Sequence, residues 1–169
     1  MSKLKANNHS GRVALRNLNA SLRKLAANSV NGATMARVLI VDDDELFIKL
    51  MVHALRQRGH DVEFALDGLA GSRKFEDGQY DVVVCDIVMP EQEGVETIKM
   101  MRRARPDVGI VAISGGLSLS HTTNIDVLHI AGQFGANTTL KKPFQLSELT
   151  AAVDAVLASR QTARAKARA

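Results

Sequence analysis

The chain of 169 residues has no tryptophan, one tyrosine, one cysteine and three prolines. With aromatics at 4%, its core has to be built from aliphatic side chains. A lone Cys85 excludes an intrachain disulfide, and with it the stapled scaffold of small secreted domains. Lying in an apolar run just before Asp86, it reads as a small buried strand residue rather than a redox thiol. No apolar stretch approaches the roughly 20 residues that span a bilayer, so no membrane partner is expected. Acid is missing from both ends. Residues 1–37 hold seven basic residues and no acid, and residues 158–169 hold four basic residues and no acid. All 18 acidic residues lie between Asp42 and Asp154, where they outnumber 11 basic ones, so the net charge of +4 describes two tails around an acidic centre.

Three units follow. Residues 1–36 are expected to form a basic extension, partly helical or disordered. Leu15, Leu18, Leu22 and Leu25 recur at helical spacing among Arg12, Arg16, Arg23 and Lys24. Asn31-Gly32 marks a linker, and Met35 is a plausible alternative start. Residues 37–159 form the central domain, and residues 160–169 are expected to be a basic, disordered tail. Within the central domain strands and helices alternate five times. Strands are expected at 37–41, 61–65, 81–85, 108–113 and 137–140, and helices at about 44–58, 67–76, 94–104, 121–133 and 146–159. Phe47, Leu50, Met51, Ala54 and Leu55 lie on one face of the first helix, and Gly59 supplies its left-handed cap. Strands one, three and four are nearly continuous Val, Ile and Leu, the pattern of parallel strands buried on both faces. Right-handed crossovers then give an α/β fold, a doubly wound five-stranded sheet of order 2-1-3-4-5 with helices on both sides.

Ligands of such sheets bind at the carboxyl edge of the strands. There strand one delivers Asp42 and Asp43, strand three Asp86, strand four Ser114 and strand five Lys142. Clustered carboxylates repel: at ~4 Å and an effective dielectric of ~20, each pair costs on the order of 4 kcal/mol. A hard divalent cation such as Mg²⁺, which takes oxygen ligands, and the ammonium of Lys142 offset that repulsion. Asp44 is expected to cap the first helix instead. Lys141 is read as a solvated neighbour, and Gly115-Gly116 as a flexible turn. His53, His60, His121 and His129 have no partners at metal-ligand spacing and are read as surface residues.

Val-Asp-Asp-Asp after strand one, Asp86-Ile-Val-Met-Pro with Gly94 beyond it, Ser114, and Lys142-Pro143-Phe144 stand in that order, each at a strand end. Together they resemble the receiver domain of two-component response regulators over residues 37–158, with its flavodoxin-like fold. The resemblance implies that Asp86 is the phosphoacceptor, attacking a phosphohistidine of a histidine kinase or histidine phosphotransfer protein. It implies that Asp43, Asp86 and the backbone carbonyl of Val88 bind Mg²⁺ directly, with Asp42 acting through a water. Lys142 would pair with Asp86 and then with the phosphoryl group. Ser114 would move to a phosphoryl oxygen and draw in the loop after strand four, and Pro143 would follow a cis peptide bond. Receivers usually carry Tyr or Phe three residues before the lysine. Thr139 stands here and cannot supply a ring, which leaves the segment from Ser114 to Ser120 to carry the response.

The resemblance therefore implies a stand-alone, single-domain response regulator in a bacterial cytoplasm. It would not be a turnover enzyme, and would signal by protein contact through the helix at 121–133, strand five and the last helix. The alternative is a nucleic-acid-binding regulator whose basic tails are gated by the receiver. A Mg²⁺-dependent phosphohydrolase on the same sheet would need a general base near Asp86, and none stands out. The acid-free N-terminus also resembles a transit peptide.

Overall fold

A computed structural model describes residues 35–89, 94–115 and 131–167. The N-terminal extension, most of the expected helix at 121–133 with His121 and His129, and the turn after Gly115 lie outside the described residues.

Five strands are present: β1 (Arg37–Val41), β2 (Asp61–Ala65), β3 (Val82–Asp86), β4 (Gly109–Gly115) and β5 (Thr138–Lys142). Among the described residues, the helices α1 (Glu45–Gln57), α2 (Gly68–Asp77), α3 (Gly94–Ala104) and α4 (Leu146–Lys166) accompany them. All strand pairs are parallel, in the expected order β2-β1-β3-β4-β5. Every residue of β3 is buried, and so are all but the last of β4, which explains their unbroken apolar sequence. Strand pleating sends alternate side chains to opposite faces. Val38, Ile40, Val82, Val84, Val111 and Ile113 pack with Ile48, Met51 and Leu55 of α1 and Leu149, Val153 and Val156 of α4. Leu39, Val41, Val83, Cys85, Ile110 and Ala112 pack on the other face with Phe75 of α2 and Ile98 and Met101 of α3.

Local chemistry sets the helix ends. Asp44 accepts from the backbone N–H of Phe47 at 3.0 Å, and Asp67 does the same for Ala70 at 2.6 Å, each capping a helix start. Gly59 follows α1 with φ of 85°, the left-handed conformation expected of it.

Four expectations need correction. Leu50 lies on the outer side of α1 and is 55% exposed, because Ile48 takes the inner position. His60 is buried rather than on the surface, since it opens β2 beneath α4, with Nε2 3.6 Å from Asp154. The tail from residue 160 is helical to Lys166, with α4 continuing without a break. Its alanines favour the helix, it contains no Gly or Pro, and Arg160 and Arg164 anchor it to Asp107. Finally, β4 and β5 run two residues further than expected, so Ser114 lies within β4 rather than beyond it.

Candidate functional site

β1 and β3 lie side by side, with Val41 opposite Cys85, so the residues that follow each, Asp42 and Asp86, meet at the carboxyl edge. β5 reaches the same edge through β4, with Gly115 opposite Lys142. Carboxylate oxygens of Asp42, Asp43 and Asp86 all lie within 4.8 Å of one another. Asp42 and Asp86 are buried and Asp43 is exposed. Lys142 bridges the buried pair: its Nζ donates to Asp42 Oδ2 at 2.8 Å and to Asp86 Oδ2 at 2.6 Å. The second oxygen of each is also held. Asp42 Oδ1 accepts from the N–H of Asp44 and Asp86 Oδ1 from the N–H of Val88, both at 2.9 Å.

Burial pushes the Asp42 carboxyl above its usual range, only partly offset by hydrogen bonds from Lys142 and Asp44. Burial alone would lower the Lys142 ammonium, yet its hydrogen bonds to Asp42 and Asp86 outweigh that and raise it. Cys85, fully buried behind Asp86, has its thiol pushed far up by desolvation and then by the charges of Asp86 and Asp42. It is an inert core residue, as expected.

Two contributors were read from the sequence only as core or motif residues. The Phe47 ring lies under Lys142, with Nζ 4.7 Å from its centroid, and Phe144 packs edge-on against Phe47 at 5.4 Å. Phe47 is four residues past Asp43, one helical turn into α1; that spacing was the available signal. Gly94 opens α3 where a Cβ would lie 2.0 Å from the carbonyl oxygen of Asp86, so no side chain fits there. The Lys142–Pro143 bond is cis, as expected.

Ser114 is buried at the same edge, one residue past Ile113, the partner of Asp86 in the ladder. Its hydroxyl is directed to the carbonyl of Gly115 at 3.2 Å rather than into the carboxylate cluster. Thr139 is half-buried in β5 opposite Ala112. Lys141 is exposed, as expected.

A doubly wound sheet with this acidic pocket and bridging lysine defines a class of signalling modules, and the comparisons identify it. Residues 38–154 match the response regulator receiver domain, and the chain belongs to that family. The transcriptional regulatory protein PrrA of Mycobacterium tuberculosis is 35% identical over 76% of this chain and 53% of its own length. The DNA-binding transcriptional regulator NtrC of Azospirillum brasilense is 32% identical over 73% of this chain and 24% of its own. The chain thus spans about half of one relative and a quarter of the other. The crystal structure of a CheY-like receiver domain protein from Methanospirillum hungatei shares the fold, with a TM-score of 0.69 at 23% identity over 76% of this chain and 98% of that one. No helix among the described residues is long and apolar enough to cross a membrane.

Proposed function

We propose that the chain is a single-domain response regulator acting in the cytoplasm. It accepts a phosphoryl group on Asp86 from a histidine kinase or histidine phosphotransfer protein and signals by protein contact. The observation that carries this reading is the buried Asp86 carboxylate, held by Lys142 and by the N–H of Val88 beside two further carboxylates. One of its oxygens forms an O–P bond as the N–P bond of the phosphoimidazole breaks. The bond pair stays on the imidazole nitrogen, which takes up a proton. Lys142 neutralises charge at the acceptor throughout, and its contact with Asp42 keeps the ammonium in place.

The donor set fits a hard cation: every candidate ligand atom is an oxygen, and Asp43 is exposed and open to coordination. Asp43, Asp86 and the Val88 carbonyl would hold Mg²⁺ directly, with Asp42 acting through a water. Its charge would stabilise the transferring phosphoryl oxygens. Ser114 then reads the product by turning its hydroxyl from Gly115 to a phosphoryl oxygen. On this reading the chain acts as a phosphoacceptor and not as a turnover enzyme.

Incubation with Mg²⁺ and a small phosphodonor tests this by intact mass. The wild type is expected to gain one phosphoryl group and Asp86→Asn none. Equal gain by both, or none by the wild type, overturns the reading.

A further inference from the structure

The amino edge of the sheet, away from the carboxylates, carries a second charged constellation. Arg102, near the end of α3, donates to the carbonyl of Gly135 at 3.1 and 2.7 Å and to Asn137 Oδ1 at 2.9 Å. Its Nη1 donates to the carbonyls of Pro106 at 2.6 Å and Val108 at 2.7 Å. These acceptors are all neutral, and among the described residues no carboxylate forms an ion pair with Arg102. Arg160 and Arg164, one turn apart on α4, both meet Asp107, at 3.5 and 2.5 Å. Asp81, which does not line the cleft, meets Arg160 at 3.6 Å. The Arg160 side chain is only 11% exposed, whereas Arg164 is 55% exposed and uses Nη2 alone on Asp107.

These groups line a cleft of about 470 Å³ between the α3–β4 turn and the last turns of α4. Pro106 and Ala163 form part of its apolar wall. Arg160 and Arg164 therefore share the Asp107 carboxylate, Arg160 also meets Asp81, and Arg102 has only neutral hydrogen-bond partners among the described residues. Burial, followed by the charge of a neighbouring arginine, pushes both Arg102 and Arg160 below the usual guanidinium range. Guanidinium forks select planar or tetrahedral oxyanions, phosphate above all. A cleft of this volume holds a small organic molecule. Arg160 and Arg164 both lie beyond residue 154, where the match to the family model ends.

We propose that this cleft binds a nucleotide-sized phosphate ester, its phosphate displacing the Asp107 carboxylate between Arg160 and Arg164 and its organic body resting on Pro106 and Ala163. Asp107 is then an internal placeholder. That role differs from a purely structural one, because removing its charge should improve binding.

The test is titration of the full chain with ADP in EDTA, followed by calorimetry and by amide chemical shifts. ADP is expected to shift Asp107, Val108 and Asn137 and to leave Val88 unmoved. Arg164→Gln is expected to weaken binding by about tenfold or more, the loss of a charge-assisted hydrogen bond, and Asp107→Asn to tighten it several-fold. Arg164→Gln should still gain one phosphoryl group at Asp86, which shows that it remains folded. The proposal is overturned by any of four results: no ADP-dependent shift; undiminished binding by Arg164→Gln; pyrophosphate binding as tightly as ADP; or binding of a single-stranded oligonucleotide without ADP binding.

Discussion

Lys142 has three N–H donors and gives two of them to Asp42 and Asp86, with the face of Phe47 beside the ammonium. That arrangement leaves Asp43 without a cationic partner among the described residues, so its charge is the one a bound cation would answer. Millimolar Mg²⁺ is accordingly expected to raise the melting temperature of the wild type, since a ligand that binds only the folded state stabilises it. Asp43→Asn should abolish most of that shift without lowering stability in EDTA, because the side chain is exposed. Melting curves with and without Mg²⁺ at matched ionic strength decide it, and an unchanged shift in the variant would remove Asp43 from the metal set. His60 is a second residue-scale case. Burial holds its imidazole below the unfolded value of 6.5, with Arg58 acting in the same direction and Asp154 and Asp81 opposing. Neither ring nitrogen has a hydrogen-bond partner. Above the unfolded pKa the ring is neutral in both states and contributes no pH dependence. As the pH falls below it, the unfolded chain takes up a proton that the folded chain refuses, so stability drops across that window. Denaturant unfolding between roughly pH 7 and pH 5 should show this loss in the wild type and a shallower slope in His60→Leu. Parallel slopes would mean that His60 is protonated in the folded state.

At the scale of elements, what could be read in advance followed apolar continuity. β1 and β2 match their expected bounds, and β3 differs by one residue, because Val38–Val41 and Val82–Cys85 have no reading other than a buried strand. β5 ended too early in the sequence reading, since Lys141 and Lys142 interrupt the apolar pattern. On an edge strand the ladder to Ser114 and Gly115 continues regardless of side-chain polarity. The end of α4 was hidden for a related reason. Beyond Leu157 no apolar stripe marks a helix, so residues 160–166 read as a charged tail. Helix propensity and the long-range partner Asp107, which no local pattern reveals, extend the helix instead. The carboxylates and Lys142 were legible because each follows a recognisable strand. The cushion of Phe47 under Lys142 was not, because a ring on an inner helix face looks like ordinary core. If propensity and the Asp107 anchor hold the extension, Ala163→Gly should destabilise it by about 1 kcal/mol. Amides of residues 160–166 would then exchange roughly fivefold faster while those of β3 keep their rates. Unprotected amides in the wild-type extension would show that the helix ends earlier.

The described residues separate their charges, with the acidic pocket at the carboxyl edge of the sheet and the arginines of α3 and α4 at the other. On the proposed reading, a signal written on Asp86 is expected to leave through the sheet or through the residues that follow β4. Within the sheet the path from β4 to β5 is tightly paired: Ala112 opposes Thr139, and Gly115 opposes Lys142. Thr139 has no ring to exchange between an outer and an inner position, and its β-branched side chain has few rotamers to choose from. On the proposed reading β5 is therefore expected to serve as a support for Lys142, with the response expected in residues after Gly115. Phosphorylation is then expected to leave amide exchange across Thr138–Lys142 within about twofold of the unmodified rates. Thr139→Tyr, which places a ring on the same strand, should make β5 exchange depend on phosphorylation while leaving phosphoacceptance by Asp86 intact. Hydrogen exchange on both proteins, with and without a small phosphodonor, measures this directly. A large phosphorylation-dependent change across wild-type β5 would show that the strand moves without a ring, and the response would then have to be assigned to the backbone of β4 and β5 together.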